Sequence, residues 1–475
     1  MSTHLNKQET DGNLKLKPIV HDWVKTLLGR TQFLFRLLEK YGSPLNIHSL
    51  IPFNENRRLF ESVFTKYGLD YQIFYARKAN KCLQFLEPAK DGRLGVDTAS
   101  FQELKDGLDM GIPNRNLVVT AAVKPFPLMK LAVDNEVLVI LDNWDEVELL
   151  QKAAHGIGKT VKVGLRLGGF SFQVGNLRTR FGFPPSDAIK VISQIQEDER
   201  VSNIRFEGFH FHLNGYNMDH RIKAIKETLV LVDKLKEKGI DTKFLDIGGG
   251  ILVNYLESES AWQEFHNEVK DAVLGKRNPI NYKNDGLGME NVGGKLIGEP
   301  KVYPYFNNFP KEKFIDFILN AAFDEKTKIY EALNLRHIQV RIEPGRSLLD
   351  QAGISVARVI FRKRLNGDWF FGLEMNRTQL FSSSADFLLD PLLLPKQEKP
   401  SGAISGYLVG AYCLEQELIL KRKMSFNTFP QVGDLLCFIN TAGYMMHFYE
   451  SQAHLFDLAK NVFLGANDEI ILDRY

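Results

Sequence analysis

The sequence is short of cysteine, of charge imbalance and of long apolar runs, and each shortage removes a class of protein. Cys82, Cys413 and Cys437 are the only cysteines in 475 residues. An odd, small number builds no disulfide framework and is the usage of a reducing compartment. Lys and Arg total 60 against 58 for Asp and Glu, so the net charge of +2 gives no field to gather nucleic acid or an anionic membrane. Basic clusters such as Lys421-Arg422-Lys423 then read as solvated surface. No apolar run approaches the ~20 residues that a membrane-crossing helix needs. The N-terminus, MSTHLNKQETDGNLKLK, has no apolar stretch of the signal-peptide kind. These absences set the expectation of a cytoplasmic protein with neither nucleic acid nor membrane as partner. Internal repeats and low-complexity tracts are missing too.

What is present is ordinary globular composition, 44% hydrophobic and 25% charged. The length suits two or three domains, or one large barrel with a smaller domain. Short apolar segments recur at Tyr71–Ala76, Arg93–Asp97, Leu117–Ala121, Val137–Asp142, Val161–Leu167, Phe206–Leu213, Phe244–Gly248 and Ile338–Glu343. Amphipathic stretches separate several of them. In Asp219–Gly239, Ile222, Ile225, Leu229, Val232 and Leu235 repeat at helical spacing and Gly239 offers a C-cap. Pro185–Gln196 carries Ala188, Ile189, Ile192 and Ile195 in the same way. Strands alternating with helices over about 275 residues predict an α/β fold, a closed (β/α)8 TIM-like barrel, in preference to a doubly wound open sheet.

The rhythm changes near residue 346. Ser355–Arg364, Trp369–Leu373, Gly406–Val409, Leu418–Lys421 and Asp434–Asn440 read as strands of a C-terminal antiparallel β domain. The expected organisation is an N-terminal arm over 1–45 partly joining that β domain, a barrel over 46–345, and the β domain over 346–475. A Gly-, Asn- and Pro-rich insertion at 283–312 falls between the last two barrel strands. A loop that long in a compact domain is usually functional or mobile, and it is expected near the barrel mouth.

Barrel enzymes place their sites at the C-terminal ends of the strands. The first strand ends in Ala76-Arg77-Lys78-Ala79-Asn80. Desolvation at an enclosed barrel mouth weakens a lysine's hold on its proton and suits it to covalent chemistry with a carbonyl, although an isolated lysine here is more often surface. The seventh strand runs into Gly248-Gly249-Gly250, whose N–H groups can form a nest for phosphate; glycine runs also make plain turns. The eighth ends in Glu343-Pro344-Gly345-Arg346. The arginine can pair with the same phosphate and the glutamate can bond a protonated ring nitrogen, or the two can form a structural ion pair. His210-Phe211-His212 closes the sixth strand with both rings on one side. No cysteine or carboxylate spacing accompanies them, so a metal is not expected, and a ring stacked on an aromatic cofactor fits the position better.

Taken in order, Lys78-Ala79-Asn80, His210-x-His212, Asp246-x-Gly-Gly-Gly, Glu343-Pro-Gly-Arg346, Gly410-x-x-Cys413 and Ala442-Gly443-Tyr444 resemble the fold-type III pyridoxal-phosphate (PLP) decarboxylases from about residue 40 to 450. Diaminopimelate decarboxylase is the nearest branch and ornithine decarboxylase a more distant one. Gly95–Ser100 with Glu103, Lys124, and Arg180-Phe181-Gly182 also look like family positions. The resemblance implies that Lys78 carries PLP as the internal aldimine. His212 then stacks on its ring, and Gly248, Gly249, Gly250, Gly345 and Arg346 hold its phosphate. It further implies that Glu343 pairs with the ring nitrogen, Tyr444 closes the pocket and Cys413 reaches in from the second subunit of a homodimer to protonate a quinonoid. The implied activity is decarboxylation of an amino acid, diaminopimelate-like or a related amino-acid conjugate. Glu343 sets the chain apart from the racemase branch, which places arginine on that nitrogen; a racemase or lyase on the same scaffold and a non-catalytic PLP-binding homologue are the alternatives.

The chain departs from the family pattern at three places. Leu414 follows Cys413 where an acidic residue is common, leaving Glu415 or Glu417 as substitutes. The Arg-Pro-x-x-Tyr stretch that grips a distal carboxylate is absent, with Arg377 nearby as a different anion ligand. Asn214-Gly215 replaces the Gly-Ser that follows the stacking histidine.

Overall fold

The computed structural model describes residues 14–155, 160–172, 175–197, 203–397, 402–465 and 469–475. The first 13 residues of the expected N-terminal arm lie outside them. The chain forms two compact units.

One unit, Phe53–Leu252 with Phe309–Leu348, is the barrel. Its strands are β1 (Tyr71–Ala76), β2 (Gly95–Thr98), β3 (Leu117–Val119), β4 (Leu138–Leu141), β5 (Val161–Arg166), β6 (Ile204–His210), β7 (Phe244–Asp246) and β8 (Gln339–Ile342). They pair in sequence order, all parallel, and β8 closes on β1. All eight sequence-predicted strands are present: Tyr71–Ala76 keeps its expected bounds, and the others are trimmed or shifted by one to three residues. Phe74, Val118, Ile140 and Phe244 form an inner cluster. Glycine makes room for it: a Cβ on Gly208 of β6 would lie 2.4 Å from the Phe244 carbonyl oxygen.

The helix predicted from the 219–239 stripe spans Met218–Glu237, capped by the Asn217 side chain, which accepts the His220 N–H. Ile225, Leu229, Val232 and Leu235 are buried along it, each contributing roughly 1.5–3 kcal/mol by leaving water. The stretch predicted at 185–196 is a 3-10 turn at Pro185–Asp187 running into a helix at Ala188–Glu197.

The other unit comprises Met1–Pro52, Val253–Asn308 and Leu349–Tyr475. A nine-stranded, mostly antiparallel sheet organises it. Its long central strand, Gly353–Leu365, pairs antiparallel with Leu45–His48 from the N-terminal arm, with Asp368–Leu373 and with Leu435–Phe438. Helices Asp22–Leu28 and Thr31–Tyr41 bury Leu27, Leu34 and Leu38 in one core with Ile354, Val356 and Val462.

Two features differ from the sequence reading. Leu418–Lys421 is not a strand; only a bridge between Val409 and Leu418 forms. The expected insertion at 283–312 is not one open loop inside the barrel. Met289–Val292 and Lys295–Gly298 make an antiparallel hairpin, and residues 253–308 belong to the β-rich unit. The Gly293-Gly294 turn, both residues at positive φ, is the hairpin signal within that Gly-rich composition. Among the described residues no helix is long and apolar enough to cross a membrane.

Candidate active site

The C-terminal ends of the strands gather a cluster of buried charged residues, Asp97, Arg166, Asp246 and Glu343 among them. Lys78 lies in the 3-10 turn Arg77–Ala79 directly after β1. The turn is fixed on both sides. The Arg77 guanidinium is buried against Asp106 at 2.7 Å, and the Asn80 side chain accepts the Cys82 N–H at 3.0 Å. Lys78 Nζ donates to Asp97 Oδ2 at 3.1 Å, with the lysine a third exposed and the aspartate fully enclosed. Thr120 Oγ1 donates to the other Asp97 oxygen. Burial holds the Asp97 carboxyl above the usual range, with Glu343 adding repulsion and Lys78 opposing.

Glu343 follows β8 and is buried. Its Oε1 lies 3.3 Å from His210 Nε2, at the end of β6, yet neither atom makes a hydrogen bond. Burial raises the Glu343 carboxyl, against Lys78 and Arg166, and drives Asp246 well above its ordinary value, with Glu343 adding to the effect. Burial also pushes the His210 ring well below its usual value, so it is neutral. His210, Asp246 and Glu343 each offer a ligand atom within 4.8 Å of the others. The sequence reading saw no carboxylate near the histidine pair; the barrel supplies two, because β6, β7 and β8 are neighbours.

His212 Nδ1 accepts the Gly249 N–H at 3.2 Å. An accepting Nδ1 cannot carry a proton, so the ring is neutral with its hydrogen on Nε2, in line with burial pushing it well below the usual range. The glycines after β7 have no room for side chains. Gly248 and Gly250 are at φ +70° and +71°, and a Cβ on Gly249 would sit 2.4 Å from the Glu343 carbonyl oxygen. Gly345 is buried next to the half-buried Arg346, and the Arg346 side chain bonds the Tyr216 hydroxyl. The barrel thus brings Lys78, His212, Gly248, Gly249, Gly250, Glu343, Gly345 and Arg346 to one set of strand ends.

Cys413, Tyr444, Arg377 and Glu415 belong to the β-rich unit. Cys413 is exposed, on a turn where Tyr412 Oη donates to the Ser451 carbonyl. Glu415 is exposed, whereas Glu417 is buried and its Oε1 accepts the Arg377 N–H at 2.8 Å; its Oε2 has no hydrogen-bond partner among the described residues. Tyr444 sits at φ +69°, a left-handed conformation that costs a non-glycine residue of order 1 kcal/mol.

Three barrel residues escaped the sequence reading. Arg166, the last residue of β5, is buried 3.6 Å from Asp142 and stacks over Phe181 at 4.2 Å. Its signal was a charge ending an apolar strand. Tyr216 and Arg221 follow the histidine pair. Arg221 stands four residues before Ile225, on the apolar stripe of its helix, and a charge on a buried stripe marks a site.

Residues 53–283 match the family model of the pyridoxal-binding domain of pyridoxal-dependent decarboxylases. An uncharacterized protein, y4yA, of Sinorhizobium fredii is 28% identical over 446 residues, 92% of each chain. Diaminopimelate decarboxylase of Staphylococcus aureus is 25% identical over 321 residues, 62% of this chain and 74% of that one. The solved diaminopimelate decarboxylase of M. jannaschii, in co-complex with L-lysine, superposes with a TM-score of 0.70 at 17% identity, covering 92% of this chain and 91% of that chain.

The residues present fit pyridoxal phosphate. A primary amine, a buried carboxyl oxygen without a hydrogen-bond partner, a neutral imidazole and a glycine nest beside an arginine match its aldehyde, ring nitrogen, ring face and phosphate. The pyridoxal-binding domain over residues 53–283, the diaminopimelate decarboxylases among the relatives and the shared fold together support a pyridoxal-phosphate-dependent amino-acid decarboxylase of fold type III, a carboxy-lyase.

Proposed function

We propose that this enzyme decarboxylates an amino acid of the diaminopimelate type or a related amino-acid conjugate, with Lys78 as the cofactor's anchor. The observation that carries the reading is the buried Glu343 Oε1, which has no hydrogen bond among the described residues and lies beside the His210 ring and Asp246 at the same strand ends as Lys78. A carboxyl there favours a protonated ring nitrogen. Bound at this place, pyridoxal phosphate supplies the electron sink that accepts the pair left when a carboxylate departs.

The chain's own residues do the rest. Lys78 Nζ, held by Asp97, gives the attachment point; the glycine N–H groups and Arg346 take the phosphate; the neutral His212 ring offers a flat face without a competing charge. Cys413 Sγ delivers the proton to Cα from the second subunit of a homodimer, and Tyr444 closes the pocket. The enzyme works in the cytoplasm.

Leu414 and the missing Arg-Pro motif favour a substrate whose far end differs from the family's usual one. Diaminopimelate is the leading single candidate, because diaminopimelate decarboxylases recur among the relatives. Arg377, half-buried at the edge of its loop, is the substitute anion ligand, and Glu415 the substitute acid.

The PLP-loaded protein is to be screened by mass spectrometry against meso-diaminopimelate, lysine, ornithine, arginine and simple conjugates, scored for loss of CO2. An amine product from one of them is expected. Inverted substrate or pyruvate instead would replace decarboxylation by racemase or lyase chemistry, and no turnover on the whole panel would count against the proposed substrate class.

Cys413→Ala should slow product formation about 10- to 100-fold, the scale of a lost proton donor, while cofactor absorbance stays unchanged. Deuterium incorporation at Cα with altered stereochemistry would support the role; unchanged kinetics and stereochemistry would remove Cys413 from it.

A further inference from the structure

Among the described residues, no carboxylate lies beside the buried cation Arg221. It lies in the first turn of the Met218–Glu237 helix and is 2% exposed. Its hydrogen bonds go to carbonyl oxygens: Nη2 to Gly215 at 3.0 Å, Gly249 at 3.1 Å and Gly250 at 3.1 Å, and Nη1 to Asn217 at 3.2 Å. Carbonyls satisfy the donors, and the Phe314 ring lies 5.2 Å from the guanidinium, but neither neutralises the charge. Burial accordingly pulls the guanidinium down to about 10, and the one neighbour that opposes this is the neutral Tyr216 phenol. A buried charge is retained where something compensates it.

The carbonyls that Arg221 grips belong to the candidate phosphate loop and to the turn after His212. In a trans peptide the carbonyl and the next N–H point in opposite directions. Clamping the carbonyls of Gly249 and Gly250 therefore turns the N–H groups of Gly250 and Ile251 away from the arginine. Among the described residues neither of these N–H groups has a backbone partner. Gly250 must be glycine for this: a Cβ there would lie 2.5 Å from Arg221 Nη2, at φ +71°. The hydroxyl of Tyr216, next to the gripped Gly215, accepts a hydrogen bond from the Arg346 side chain. It follows Asn214-Gly215, where the serine hydroxyl of the family pattern is missing.

We propose that Arg221 is a positioning residue of the phosphate site, orienting the glycine N–H groups and supplying a second positive charge behind them, and that the Tyr216 hydroxyl takes the place of the absent serine. The proposal rests on the strand ends being the pyridoxal phosphate site, and it deepens that reading. The buried guanidinium then meets its counter-charge through the loop when a phosphate dianion docks.

The test separates phosphate from the rest of the cofactor. Full-length apoprotein is titrated with pyridoxal phosphate and with pyridoxal, the same aldehyde without phosphate, following visible absorbance. Arg221→Met should raise Kd for pyridoxal phosphate about 10- to 100-fold, the range for losing charge-assisted bonds, and leave pyridoxal within about twofold. Arg221→Lys should recover part of the loss, and Tyr216→Phe should show the same selectivity at about 3- to 10-fold. Inorganic phosphate should compete with pyridoxal phosphate on the wild type and compete less on the variants. Equal losses for both aldehydes would mean that Arg221 only supports the fold, and no loss would mean that it is idle; either overturns the proposal. If Arg221→Met does not fold, the Arg221→Lys and Tyr216→Phe ratios decide by the same criterion. A wild type that binds neither aldehyde would overturn the cofactor site itself, a result distinct from lost selectivity.

Discussion

Lys78→Ala should abolish the visible absorbance of lysine-bound cofactor and lower CO2 release on the order of 10⁴-fold or more, the scale on which enzymes lose rate with their covalent residue. The expectation follows from position. Lys78 Nζ is the amine held by the enclosed Asp97, and among the described residues no other lysine offers a comparable arrangement. Lys124, the one buried lysine among the described residues of the barrel, is spoken for: Nζ bonds both Glu146 oxygens at 2.9–3.0 Å and the Ala121 carbonyl at 2.8 Å.

The fold should tolerate the change. Asp97 loses its cation but keeps the Thr120 hydroxyl, and its carboxyl is already inclined to hold a proton. An apo melting temperature within a few degrees of wild type would show that the lost chemistry is not unfolding. A full-strength absorbance band in Lys78→Ala would sink the assignment of the anchor.

The barrel was legible because its strands are two-sided apolar runs, and such runs survive without context. Tyr71–Ala76 and Val161–Arg166 could hardly read otherwise. The strand ends were legible for a different reason: Lys78, the glycine run and Glu343 each follow a strand directly, so the barrel alone brings them together. Leu418–Lys421 misled because its apolar residues serve burial without a ladder; Ile419 and Leu420 are buried in a segment that is not a strand.

What sequence spacing could not give is lateral neighbourhood. His210, Asp246 and Glu343 are separated by 36 and then 97 positions, and they meet because β6, β7 and β8 pair side by side. Arg221 was hidden by its own helix, where a charged residue among apolar ones looks like a solvated edge until the structure shows the guanidinium beneath the glycine loop. Glu417, which sequence offers beside Glu415 as a substitute acid, spends Oε1 on the backbone N–H of Arg377, while its Oε2 is buried with no hydrogen-bond partner among the described residues.

Glu343→Gln should lower CO2 release about 10²–10³-fold, the range for losing one well-placed electrostatic group, with cofactor binding weakened far less. Glutamine keeps the shape and a hydrogen bond but cannot hold a negative charge or move a proton at Oε1. Glu343→Asp, shorter by one methylene, should fall between the two. The same substitution should affect apo stability in the opposite direction, and pH gives the sign. Burial raises the Glu343 carboxyl in the folded chain, so between the unfolded carboxyl range near ~4.3 and that raised value the native state holds more protons than the unfolded state. Its contribution to stability is fully present below the unfolded value and is lost as pH rises through the folded one. Glutamine has no such loss. The melting temperature of apo Glu343→Gln minus that of the wild type should therefore grow from pH 4 to pH 8, while activity falls at every pH. A difference that shrinks with pH would mean that the carboxyl is stabilised as an anion in the empty site, held by Arg166 and Lys78. The acid pocket would then be tuned to those cations rather than to an incoming ring nitrogen.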